Sequence, residues 1–227
     1  MPDRGADIER FYELMGVLED RVGGKRKLSG CHRSMGWPER GVYFFFEDGE
    51  TRANHDTDLR VVRVGTHAVT ARSKSRLWHR LYEHKQDGAR SVFRDHVNRA
   101  LKRRLNDGLE HNHSRCISTY IGQMPFLWVS VDGENSHRLR TRLEKNAIAL
   151  LSFWHKDSEG NPSHGWLGRS SAKREIKQSG LWNIQHVKGT YDLAFLDDLA
   201  NCIDRTEALN EPPADWHLPV CLDRNLG

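Results

Sequence analysis

The chain has 227 residues, of which 37% are hydrophobic and 29% are charged, and its formal net charge is +4. This apolar share supports a folded core and excludes a fully disordered chain, and the length fits one domain with additions or two small ones. No apolar run approaches the roughly 20 residues that cross a bilayer, and the charged start lacks a secretory signal, so we expect a cytoplasmic protein with no membrane partner.

The first half of the chain predicts a helix, two strands and two further helices. Apolar residues at three- and four-residue steps indicate the helices, and runs rich in Val, Tyr and Phe indicate the strands. The predicted elements are a helix at 6–22, strands at 42–46 and 59–65 joined by a polar loop at 50–59, and helices at 74–86 and 89–106.

The second half predicts a strand at 125–132 and a long helix at 135–154. Residues 157–180 are rich in Gly, Ser and Pro, which favours an ordered loop or lid. A short strand at 181–184 and a last helix at 191–209 complete the pattern. We therefore expect an α/β fold with a small, mainly antiparallel sheet of three strands, flanked by helices at both ends of the chain.

Positive charge is concentrated in two central segments. Residues 72–104 contain 11 Lys and Arg against three acidic residues, and residues 137–188 contain ten against four. Residues 189–227 have the opposite balance, with two Arg and eight acidic residues. The basic segments predict a polyanionic partner, although solvated helix faces would give the same pattern.

Several short motifs follow one another along the chain. The first strand opens with Gly41-Val42-Tyr43, and the second ends with Arg63-Val64-Gly65. This order resembles the GIY-YIG nuclease superfamily: the first motif matches its first tripeptide, and the second motif stands at its second tripeptide with Arg in place of Tyr. Arg80 and His84 match the helical pair that follows. Glu144 matches the metal-binding Glu of a later helix, and Asn183 is the best match for the family's Asn, with Asn161 as a rival.

The resemblance covers roughly residues 37–185 and implies a metal-dependent endonuclease that hydrolyses DNA. Residues 1–36 are then an N-terminal helical segment, and residues 186–227 are a C-terminal helix with an acidic tail packed on the nuclease domain. By the same resemblance, Glu144 would hold Mg²⁺ or Mn²⁺, and Asn183 would position the metal-site groups.

The residue types fit phosphodiester cleavage on chemical grounds as well. Arg80 and His84 are one helical turn apart and project from one face, where Arg can stabilise phosphate charge and His can move a proton. Glu144 supplies the carboxylate oxygen that a hard cation prefers, although an ion pair with Arg140 would also explain a carboxylate on an apolar helix face. Tyr43 can activate or hold the attacking water.

The departure at Arg63 leaves two interpretations. In an adapted site, its fixed charge favours the tyrosinate form of Tyr43 and contacts a phosphate, so that Arg63 belongs to the catalytic set. In a decayed site, the chain is a nucleic-acid-binding module without catalysis. A third alternative is an interaction domain whose basic surface meets an acidic protein.

Two further groups of residues are candidates for binding. Arg76, Lys173, Arg174 and Lys177 are candidates for nucleic-acid contact, the last three in a loop that also holds an aromatic residue for stacking. His111, His113 and Cys116 are potential zinc ligands, but no fourth ligand is close in sequence and the spacing is not that of a standard finger.

Overall fold

The computed structural model describes most of the chain. The described residues are 3–53, 55–67, 75–86, 91–105, 113–134, 136–155 and 161–212. Among them, no helix has the length and apolar character that a membrane span requires. His111 of the proposed zinc group lies outside these ranges, and so does the end of the acidic tail after residue 212.

The fold is α/β, and it consists of one four-stranded sheet flanked by helices. The strands are β1 (Arg26–Lys27), β2 (Gly41–Arg52), β3 (His55–Thr66) and β4 (Pro125–Ser130). The helices are α1 (Arg4–Val22), α2 (Leu77–Lys85), α3 (Val92–Arg104), α4 (His113–Gln123), α5 (Ser136–Leu151), α6 (Arg174–Ser179) and α7 (Phe195–Ile203), with 3-10 turns at Leu28–Gly30, Phe153–His155 and Leu167–Ser170.

The strand order in the sheet is β1-β4-β2-β3, and each described pair is antiparallel. The expected α/β class with a mainly antiparallel sheet is thus confirmed, and the strand count differs only because the two-residue β1 adds an edge. The central strand β2 begins in the first tripeptide and pairs Tyr43 with Gly65 of β3. This pairing brings the two predicted tripeptides side by side.

Successive residues of β2 face opposite sides of the sheet, as they must in a strand. On one side, the ring of Phe44 packs edge-on against Phe11 of α1, with ring centroids 5.7 Å apart. On the other side, Phe45 contacts Phe93 of α3 and Phe126 of β4, with centroids at 5.7 and 5.4 Å. The sheet is therefore buried on both faces, and the second face is the one that carries Tyr43.

The predicted strand at 181–184 is wrong, because this segment has no strand structure. It lies along the outer edge of β3 and supplies individual hydrogen-bond partners to the backbone groups of that edge. The Trp182 amide donates to the Val62 carbonyl at 2.7 Å, and the Asn183 side chain both accepts from and donates to the backbone of Val64, at 3.1 and 2.8 Å. A side-chain amide thus takes the place of the missing strand neighbour and protects the edge.

Two other regions differ from the sequence prediction. The predicted loop at 50–59 is mostly strand, since β2 runs to Arg52 and β3 starts at His55, with only residues 53 and 54 between them. The predicted loop at 157–180 contains a 3-10 turn and α6, and residues 113–123 form α4, for which no helix was predicted.

Candidate active site

A chain of hydrogen bonds links β2 to α2 and α3 beneath the surface. The Tyr43 hydroxyl lies 2.7 Å from Nε2 of His84, and Nδ1 of His84 lies 2.7 Å from Oγ of Ser91. Ser91 is the N-cap of α3, and its hydroxyl also accepts from the Arg94 amide at 3.2 Å. Tyr43 and His84 are both fully buried. Tyr43 and His84 therefore form one rigid unit, which the N-cap residue of α3 holds in place.

The glycine that pairs with Tyr43, Gly65 of β3, makes this arrangement possible. A Cβ atom on Gly65 would come within 2.3 Å of the Tyr43 hydroxyl oxygen, so the tyrosine ring lies directly across the glycine of the second tripeptide. Gly41 has a similar restriction, because a Cβ there would lie 2.4 Å from the Val129 carbonyl oxygen of β4. Gly65 is thus needed for close packing against the tyrosine, and Gly41 for the close approach of β2 to β4.

Arg80 extends from α2 toward the same tyrosine. Its side chain is 23% exposed, and Nη1 donates to Oε2 of Glu83 at 2.8 Å. Burial lowers the pKa of Arg80, but interactions with Tyr43 and Glu83 outweigh this effect and raise it overall. Arg80 is therefore a permanent cation at the edge of the buried pair, with part of its surface open to a ligand.

His84 is held in its neutral form. Burial lowers the pKa of His84 well below its usual value, and the positive charges of Arg63 and Arg80 lower it further. In the free protein His84 is therefore uncharged around pH 7, so it holds the Tyr43 hydroxyl as a neutral hydrogen-bond partner.

Arg63 enters the site from β3. Its guanidinium lies 4.6 Å from the ring centroid of Phe93, and Nη1 donates to the Trp182 carbonyl at 2.9 Å. Its buried Nε has no hydrogen-bond partner in the part of the chain that the structure describes. The arginine that replaces the second tyrosine is therefore firmly placed, with one buried donor left unsatisfied.

Glu144 approaches the same point from α5. Its Oε1 accepts from the Thr66 amide at the end of β3, at 3.2 Å. Burial raises the pKa of the Glu144 carboxyl, whereas Arg63, the Thr66 amide and Arg80 act in the opposite direction. Arg140, the alternative ion-pair partner expected from sequence, donates instead to the carbonyls of His67 and Val131, at 3.3 and 3.2 Å. The carboxylate is thus held by the end of β3 and lies within range of the charges of Arg63 and Arg80.

The structure places the two asparagine candidates differently. Asn183 is buried, and its amide is committed to the backbone of Val64, two residues before the Thr66 amide that binds Glu144. Asn161 instead accepts from Arg169 at 3.3 Å and lines a separate cavity with Arg174. Of the two candidates, Asn183 is therefore the one whose side chain is hydrogen-bonded to β3.

The basic candidates do not form a single group. Lys173 is close enough to His96 of α3 for its charge to lower the pKa of that histidine, which places it on the Arg63 side of the fold. Arg174 and Lys177 line a cavity of about 350 Å³ beside Trp154. Arg76 lies just before α2 and pairs with Glu39 at 3.2 Å.

Two residues near the site were missed from sequence. Ser91 fixes the outer nitrogen of His84, and the only sequence signal for it was its position as a helix N-cap before α3. His96 is buried next to Arg63, and its Nδ1 has no hydrogen-bond partner among the described residues. Burial and the charge of Arg63 lower the pKa of His96, and no local motif marks it.

The side chains of the site can be compared with the ligands that a divalent cation requires. The described residues contain no cluster of three His, Cys, Asp or Glu side chains that would enclose a metal. Mg²⁺ does not require one, because it commonly binds through one or two carboxylates with water and substrate phosphate as the other ligands. Glu144 has one oxygen on the Thr66 amide and a second oxygen that can serve as such a ligand, so the residues fit this kind of cation.

The comparisons with known proteins agree with this geometry. The GIY-YIG domain family matches residues 2–107 and 102–209, and the chain therefore belongs to this family. Members of the family are typically endonucleases and generally use divalent metals, which supports a nuclease-type enzyme. A search of curated proteins gave no match, and a search of solved structures gave none.

Proposed function

We propose that this protein is a metal-dependent endonuclease that hydrolyses DNA phosphodiester bonds. The observation that carries the proposal is the convergence of a tyrosine, a histidine, two arginines and one carboxylate from four separate elements. Arg63 and Arg80 both act on the pKa of Glu144 and on that of His84, so these side chains share one site. A carboxylate beside two arginines suits a metal-bound phosphate diester.

Glu144 is the proposed ligand of Mg²⁺ or Mn²⁺. The cation would supply charge neutralisation at the scissile phosphate and the leaving oxygen. Arg80 stabilises the negative charge that develops on the phosphoryl oxygens, and the partly exposed guanidinium of Arg63 adds a second positive charge beside the phosphate. Asn183 holds the edge of β3 and thereby the Thr66 amide that orients Glu144, which is a positioning role.

The proton of the attacking water passes to the Tyr43–His84 pair. With a proton on Nδ1 donated to Ser91, Nε2 of His84 is free to accept the hydrogen of the Tyr43 hydroxyl. Because His84 is neutral in the free protein, its Nε2 has the lone pair that a general base needs.

A second candidate is a nucleic-acid-binding module that does not cut. It is favoured by the replacement of the second family tyrosine by Arg63 and by the full burial of Tyr43. The decisive experiment is nicking of supercoiled plasmid in Mg²⁺, with an EDTA control. The nuclease proposal expects nicked and linear products in Mg²⁺ alone, whereas inactivity across several divalent metals and DNA forms would support the binding module.

A further inference from the structure

A second cavity lies on the side of α2 away from Arg80. It measures about 910 Å³ and is lined by three aromatic side chains, Trp37, Trp78 and Tyr82, and by several basic ones. None of the residues named so far in the proposed catalysis lines it. The function of this cavity therefore requires a separate explanation.

The aromatic side chains form a continuous series. Trp37 and Trp78 are stacked with ring centroids 5.0 Å apart and an interplanar angle of 28°, and Tyr82 follows Trp78 at 5.7 Å and 36°. Trp37 is anchored from behind, because its indole nitrogen donates to the His32 carbonyl at 2.8 Å and its ring contacts Trp128 at 5.5 Å. Tyr82, at the open end of the series, is 43% exposed.

The polar part of the lining is basic. Arg33, Arg76 and Lys85 line the cavity together with two histidines, and no acidic side chain is among the described residues of the lining. Arg76 does pair with Glu39 outside the cavity, but both side chains are more than half exposed, so the pair is readily exchanged for a phosphate. A flat aromatic series with cations around it matches bases that carry phosphates.

Helix geometry relates the cavity to the proposed active site. Trp78 and Tyr82 each differ by two residues from Arg80, which places them about 200° away around α2. A helix with its side chains is about 10–12 Å across, a distance spanned by about three stacked nucleotides at 3.4 Å each. Because the strand has to pass around α2, a strand whose scissile phosphate lies at Arg80 reaches the cavity at least about three nucleotides further on.

We propose that this cavity binds an unpaired nucleotide of the DNA substrate, at least about three nucleotides from the scissile phosphate. A base in a duplex is stacked between its neighbours, whereas an unpaired base has a free face for Tyr82 and Trp78. The site thus selects DNA that carries a short single-stranded arm next to the point of cleavage. This inference rests on the proposed nuclease function, whose substrate it specifies.

The test measures binding in EDTA by fluorescence anisotropy, with a labelled duplex and with the same duplex bearing arms of about one, three and six nucleotides. Because base–aromatic stacking changes affinity by roughly 5- to 150-fold per base, the wild type is expected to gain at least about fivefold in affinity between the shortest and the longest arm. Tyr82→Ala should lose most of this gain, and Tyr82→Phe should keep it.

Charge is tested with a matched pair. Arg33→Ala should weaken binding of the armed DNA more than that of the duplex, whereas Lys145→Ala, which removes the same charge on α5, should leave the preference for the arm unchanged. Equal affinity of the wild type for both DNAs would overturn the proposal, and so would an equal effect of Tyr82→Ala on both. A dimer that Tyr82→Ala dissociates in sedimentation would assign the cavity to a second copy of the chain and also overturn it.

Cleavage is measured separately in Mg²⁺, so the two proposals fail in different ways. If the wild type cuts no DNA but prefers the armed duplex, the nuclease proposal fails and the cavity assignment stands. If it nicks plasmid but shows no preference for the arm, the cavity assignment fails and the nuclease proposal stands.

Discussion

At the scale of single residues, the central question is what Arg63 does in place of a tyrosine. It is held by the Trp182 carbonyl and the Phe93 ring, and its charge acts on Glu144 and His84. A decayed position would have no physical reason to keep a partly buried guanidinium whose charge acts on Glu144, because such a charge is costly unless it is compensated. We therefore interpret Arg63 as an adaptation.

Arg63→Ala should slow cleavage by roughly 100-fold, since it removes a positive charge beside the phosphate. Arg63 lowers the pKa of Glu144, so its loss raises that pKa and the ionised carboxylate is reached only at higher pH. The rising limb of the pH–rate profile should then move upward by on the order of one unit. Arg63→Lys keeps the charge and should leave the limb near its original pH, and an unshifted limb in Arg63→Ala would contradict this role.

Ser91 is a positioning residue that acts through His84. Ser91→Ala leaves Nδ1 of His84 unpaired and removes the cap of α3, so we expect slower cleavage and a loss of about 1 kcal/mol in unfolding free energy. Ser91→Thr retains the hydroxyl and should restore both the rate and the pH profile. If the rate of Ser91→Ala is normal, the hydrogen bond to His84 has no catalytic importance.

At the scale of elements, the hairpin of β2 and β3 determines where the tyrosine lies. The first-tripeptide tyrosine crosses the second-tripeptide glycine, and the outer edge of β3 carries both the contact to Glu144 and the contacts to Asn183. Changes in the packing of these two strands should therefore affect stability and activity together.

Gly65→Ala tests this coupling. The added methyl group collides with a tyrosine that is fully buried and hydrogen-bonded, so we expect a loss of about 1–3 kcal/mol in unfolding free energy, measured in denaturant, together with loss of cleavage. Gly16→Ala is the control, because this glycine lies within α1 with no atom near its added Cβ and should stabilise the protein by up to about 1 kcal/mol. Equal stability of the two variants would contradict the packing argument.

The sequence predicts the elements whose apolar pattern is regular and fails where packing is irregular. Residues 113–123 form α4 although their apolar positions are few, and the polar residues around 50–59 extend the hairpin. Residues 181–184 have strand-like composition, but there the side chain of Asn183 makes the edge contacts that a strand would make with its backbone.

The candidate site is likewise only partly predictable from the sequence. Tyr43, Arg80, His84 and Glu144 were predicted because their order and spacing form a motif, and the structure brings them together. The support from Ser91 and the proximity of His96 depend on how α3 packs on the sheet, which local sequence does not encode. The role of each residue in cleavage stays a prediction.

At the scale of the whole molecule, the segregated charge predicts how DNA is held. If Lys173, Arg174 and Lys177 each contact a phosphate, replacing all three by Ala should weaken binding and reduce the slope of log affinity against log salt by up to about 3. A control variant with Arg10→Ala in α1 and Arg205→Ala after α7 should change the slope little. An unchanged slope in the triple variant would remove this loop from the interface.

The most direct test of the account is the Glu144→Gln variant. The substitution keeps the size of the side chain and removes the charge that holds a hard cation, while the cations that bind DNA are untouched. Cleavage in Mg²⁺ should fall by orders of magnitude, on the order of 100-fold or more, while DNA affinity is retained or increases. Glu13→Gln, an exposed carboxylate on α1, should cleave as the wild type does. If Glu144→Gln cuts DNA at the wild-type rate, the metal assignment and the mechanism built on it are wrong.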